Sequence, residues 1–113
     1  MESILTSIKM MLGISEEYDH FDSVIIMHIN SVLGDLIQIG VGPSEGFRIE
    51  DETAVWTDFV PDMSKVEAVK SYIYLRVKLL FDSQTLPSSV IESYNRQIEK
   101  AEFRLNAAVE TEF

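Results

Sequence analysis

The run of residues 64–81, SKVEAVKSYIYLRVKLLF, constrains this chain more than any other stretch. Val66, Val69, Ile73, Val77 and Leu80 recur at steps of three and four, the period of an α-helix, while Tyr72, Leu75, Leu79 and Phe81 carry the apolar surface well past one stripe. A helix this apolar is covered from several sides, so the other segments are expected to pack around it. Ser64 and Glu67 have the spacing of a capping box, which sets the expected start, and Asp82, Ser83, Gln84 and Pro87 end the run. Lys70, Tyr74 and Lys78 align at steps of four, with Arg76 nearby, and predict a face turned to solvent or a partner, the basic stems snorkelling over a core helix.

Three further segments are predicted around it. Residues 4–12 form a short helix capped by Ser3, with Ile4, Leu5, Ile8, Met11 and Leu12 on one face and Gly13 as its stop. The acidic turn SEEYDHFD offers Asp19 or Asp22 as the cap of a second helix reaching Ile39, whose inner face is Ile25, Ile29, Val32, Leu36 and Ile39; Gly34 interrupts it and Gly40 closes it. The last helix starts at Ser88 or Ser89, with Ser89 and Glu92 as a second capping box, and runs to about Val109. Its residues Ile91, Tyr94, Ile98, Ala101, Leu105 and Ala108 form a heptad seam fit to lie along residues 66–81.

Between the second and third of these helices the period disappears over residues 40–62. GVGPSEG is a loop, and FRIEDETAVWTDF reads either as a short hairpin around Asp51 and Glu52 or as irregular chain followed by a helical turn, with Trp56 and Phe59 as the side chains that pin it to the core. The expectation is an all-α compact bundle of about four helices around a central hydrophobic helix, with a long loop or short hairpin between helices 2 and 3, as a single domain over 1–113.

Charge adds a functional constraint. The net charge is -10, and the first 62 residues hold twelve acids against Lys9 and Arg48, whereas the remainder holds seven of each sign. An acidic half opposes binding to phosphate backbones, which requires clustered Lys and Arg. Its other use is solubility. With 0 cysteines, disulfides, thiolate metal sites and a cysteine nucleophile are excluded. No stretch approaches the roughly 18 apolar residues of a membrane span and no secretory leader precedes the first helix, so a soluble protein without export signal or membrane contact is expected.

Sites for chemistry are sparse. His20 and His28 lie eight residues apart, too far for the usual metal pair; Glu16, Glu17, Asp19 and Asp22 lack the glycine and terminal glutamate of a calcium loop; and Glu50, Asp51 and Glu52 read as a polar loop tip. The serines lack a nucleophile elbow, and GVGPSEG opens no phosphate-binding helix. No catalytic, cofactor or metal residue is expected, and the chain is read as no enzyme. What stands out is a surface: Arg96, Lys100 and Arg104 at steps of four on the far side of the last helix, with Phe103 beside them. An aromatic there fits a protein contact, or else packing beneath the N-terminal helix.

The segments SYIYLRVKLLFD (71–82), IEKAEFRLNAA (98–108) and GVGPSEGFRIEDETAVWTDF (40–59) carry a resemblance to the small head-tail connector, head-completion or adaptor proteins of long-tailed bacteriophages, in particular those of phages and prophages of Gram-positive bacteria. It spans nearly the whole chain and contains no catalytic signature. The resemblance implies a helical subunit of the virion's head-tail junction, built in the host cytoplasm. Such a subunit assembles as a homo-oligomeric ring beneath the portal protein, extends the DNA channel without binding DNA specifically, and docks a downstream neck or tail-completion protein. Family members often place prolines directly after the position of Asp82; here Ser83 and Gln84 intervene. Ring closure needs two different complementary faces on each subunit, and an acidic first half opposite Arg96, Lys100, Phe103 and Arg104 is such a pair. Trp56 and Phe59, on the long loop, complete the candidate interface residues. The competing reading from the residues alone is a small acidic regulatory or decoy protein that binds a basic partner.

Overall fold

The computed structural model describes residues 2–82 and 84–111, with side chains through 109, and over these it is all-α. Its helices are α1 (Ile4–Met11), α2 (Asp22–Gln38), α3 (Trp56–Phe59), α4 (Met63–Asp82) and α5 (Ser88–Thr111). The four longer ones are those expected; α3 is the helical turn that closes the connecting segment, and no hairpin forms there. Ser83, part of the expected stop signal, lies outside the described residues.

Local chemistry explains most of the boundaries. The Ser3 hydroxyl accepts the Thr6 amide at 3.2 Å, capping α1 as its sequence predicts. α2 ends where the Val41 amide reaches back 2.9 Å to the Leu36 carbonyl, a closure that turns through Gly40 at φ 95°. Three caps differ from expectation. Phe21, not Asp19 or Asp22, precedes α2, because the Asp22 carboxylate is drawn instead to the Lys9 ammonium, 2.8 Å away. Asp62, not Ser64, caps α4: its carboxylate accepts the Ser64 amide at 3.0 Å and the Ser64 hydroxyl at 2.7 Å, and these bonds hold the Asp62 carboxyl below its ordinary pKa. α5 begins directly after Pro87, whose carbonyl takes the Val90 amide at 3.0 Å, which places Ser89 inside the first turn rather than at a cap.

α4 is central as expected. It packs against α1, α2, α3 and α5, and Val66, Val69, Tyr72, Ile73 and Val77 are buried. Leu80, expected on the same stripe, is 46% exposed. There the helix outruns the core, and Phe81 makes the inward contact with an edge of the Phe21 ring at 5.4 Å between centroids. α5 lies along α4 by its seam, with Ile98 and Leu105 buried and Ile91, Tyr94, Ala101 and Ala108 half-buried. Gly34 sits on the exposed side of α2 with nothing within 4 Å of where a Cβ would stand, so it is not there to admit a neighbour.

Candidate assembly surfaces

The connecting segment is held by specific bonds. Trp56, fully buried, donates its indole N–H to the Ser7 hydroxyl at 3.0 Å, and Ser7 in turn donates to the Ser3 carbonyl. Beside it, the Ile4 amide donates to the Ala54 carbonyl and the Trp56 amide to the Glu2 carbonyl, so residues 2–4 and 54–56 form a short antiparallel pairing. Asn30 secures the middle: its side chain accepts the Ile49 amide at 2.7 Å and donates to the Ile49 carbonyl at 2.9 Å, satisfying both backbone groups of a residue that is 1% exposed. Phe47 and Phe59 meet with ring centroids 5.4 Å apart. A Cβ on Gly42 would stand 2.4 Å from Cε1 of Phe59, so only a glycine lets the backbone pass this close to that ring.

Trp56 and Phe59 are therefore core anchors, both 0% exposed. The Trp56 indole N–H is satisfied inside the chain, and Phe59 lines a groove beside it. The anchored loop, together with the start of α4 and the end of α5, walls this groove of about 590 Å³. Val41, Pro43, Val60, Ala68, Leu105 and Ala108 contribute apolar lining, while Glu45, Asp58, Asp62, Lys65 and Arg104 also border it.

Of the expected surface residues, Arg96, Lys100, Phe103 and Arg104 are all exposed. Phe103, at 76%, is the most exposed large apolar side chain among the described residues, which excludes packing under α1. Helical spacing puts Arg96 and Lys100 on the same outward face as Phe103. Arg104 diverges from them and reaches the groove.

The acidic half is partly neutralised by ion pairs within the chain, in which Asp22, Glu2 and Asp35 each face a basic side chain. Lys9, one of its two bases, is buried: the ammonium binds Asp22 and donates to the Glu16 carbonyl at 3.0 Å, tying the 12–21 turn to α1. On the central helix the basic face is engaged inside the chain. Lys70 pairs with Glu2 at 2.7 Å, and that hydrogen bond raises the lysine pKa and lowers that of Glu2. Arg76 binds Asp35 at 2.7 Å and the Tyr72 hydroxyl at 2.8 Å, while burial pushes the Tyr72 phenol up. Lys78 pairs with Asp82 at 2.6 Å. The snorkelling reading of this face agrees with these bonds.

His20, Tyr18 and Phe21 form a three-ring cluster in which His20 and Phe21 meet edge to face at 4.8 Å, and His28 is half-buried within α2. Among the described residues no three His, Asp or Glu side chains converge on a metal-sized site, and no helix is long and apolar enough to cross a membrane.

Sequence reasoning missed Asn30 and the groove. Asn30 falls on the line of Ile26, Leu33 and Ile37, and a polar residue in such a row was the available signal; its partner, nineteen residues away, was not visible.

Taken together, these features define a small helical domain with an exposed aromatic and basic face on α5 and an apolar groove beside the connecting segment. A family model described as phage connector protein matches residues 4–112, and the chain belongs to that family of phage head-tail connectors, structural proteins of the virion. Searches of curated proteins and of solved structures found no match.

Proposed function

We propose that this connector assembles as a ring at the head-tail junction, beneath the portal protein, extends the DNA channel and docks the next neck or tail component. Membership of the connector family over residues 4–112 carries the reading. The two-sided surface supports it. A ring grows through a heterologous contact between unlike faces, and each copy has an acidic first half and an α5 face bearing Arg96, Lys100 and Phe103. Carboxylates around a lumen would repel the DNA backbone and let it slide without sticking.

The test is light-scattering mass over a wide concentration range, with and without the portal protein of the same phage. A discrete ring, or one that forms only with portal, is the expected result. A monomer or dimer that ignores portal refutes the reading and favours an acidic regulator of a basic partner.

A further inference from the structure

We propose that the apolar groove between the 40–45 loop, the 58–62 turn and the ends of α4 and α5 receives Phe103 from a neighbouring copy of this chain. The inference rests on the ring reading above and names its contact. Phe103 is 76% exposed and does not line the groove of its own chain. Knob and socket thus lie on different faces, the condition for a contact that repeats from copy to copy instead of closing a dimer. A cavity of about 590 Å³ with mostly apolar walls has the size and lining of a pocket for an aromatic anchor.

Charge selects Phe103 over the other exposed apolar side chains. Glu45, Asp58 and Asp62 border the groove against Lys65 and Arg104, which leaves its rim acidic by one formal charge. Met10, Met11, Tyr18, Phe21, Val24 and Met27 all project from the acidic half and would bring carboxylates toward those acids, Met63 directly follows Asp62 on the groove's own rim, and Leu80 is 46% exposed against 76% for Phe103. Phe103 arrives with Arg96 and Lys100 on its face, against Glu99 one turn before it. Opposite charges at the rim of a buried aromatic set orientation and suppress wrong pairings.

The absence of native cysteine makes the contact directly testable. Ala68→Cys places a thiol in the groove, and Ala107→Cys places one a turn beyond Phe103. Under conditions where scattering shows the ring, a short bismaleimide should convert the double variant into a ladder of covalent multimers. Each single variant should stay monomeric on a denaturing gel, and a mixture of the two should give only dimers. Phe103→Ser should weaken self-association at least about 30-fold, the scale of losing a buried aromatic anchor, with unchanged circular dichroism and denaturation midpoint. A ring of full mass that gives no ladder, single variants that cross-link to themselves, or a groove thiol that links only to portal overturns the assignment while leaving the ring intact. Absence of any oligomer, with or without portal, removes both this contact and the reading it rests on.

Discussion

Asn30→Ala tests how the connecting segment is held. In the native chain the Asn30 amide satisfies the N–H of Ile49 at 2.7 Å and its carbonyl at 2.9 Å, and Ile49 is 1% exposed. Truncation leaves two buried backbone groups without partners, at about 1–3 kcal/mol each. Water reaching one of them through the half-buried site lowers the sum, and a loss of about 2–4 kcal/mol is expected. That is a large part of the roughly 5–15 kcal/mol that stabilises a domain. At about 4 °C per kcal/mol for a chain of this size, the melting temperature should fall by about 8–16 °C. Trp56 is the single tryptophan and sits on the same segment, so its fluorescence follows the loop while far-ultraviolet circular dichroism follows the helices. Asn30→Asp, which keeps the acceptor for the Ile49 amide but sets a carboxylate oxygen against its carbonyl, should lose at least as much as Asn30→Ala at neutral pH. A loss under about 0.5 kcal/mol in Asn30→Ala, by both probes, would show that the segment is held by its apolar anchors alone and that the polar clamp is dispensable.

Two further outcomes follow from the same geometry. Gly42→Ala combines a φ of 95° with a Cβ 2.4 Å from the Phe59 ring, so it should cost about 2–4 kcal/mol, from strain at positive φ and displacement of a core aromatic; a urea midpoint equal to wild type would refute that. Glu2 has a depressed pKa, chiefly through its bond from Lys70, so the pair stabilises the fold above the ordinary glutamate value of 4.5 and loses that contribution as pH falls through the lower folded-state value. With the Glu2 side chain 53% exposed, the effect is at most about 1 kcal/mol. Wild type should therefore converge with Lys70→Met in stability below pH 4.5, and a constant gap between them down to acid would be the contrary result.

How much of this was legible beforehand follows from the range of each interaction. The anchoring of Trp56 and Phe59 was readable because large aromatics in an otherwise polar loop have few places to go. Their bonding partners were not: Ser7 lies 49 residues from Trp56, and no local pattern connects them. Leu80 shows the limit of periodicity, which reports the face of a helix but not where the neighbouring helices stop covering it. Asp22 and Asp62 show the same limit for caps, where several residues have suitable chemistry and the neighbouring groups decide among them.

By itself the sequence determined the four long helices, the central place of α4, the seam of α5 on it and the division of charge along the chain. Those follow from side-chain spacing and formal charge, properties local enough to be carried by a few consecutive turns. Only the tertiary structure decided that the acidic half buries Lys9, that the basic face of α4 is consumed by Glu2, Asp35 and Asp82, and that Phe103 is left in solvent on a different face from the groove. The physical reason is that burial and pairing depend on what the rest of the chain brings to a residue, and segments up to 68 positions apart supply it here.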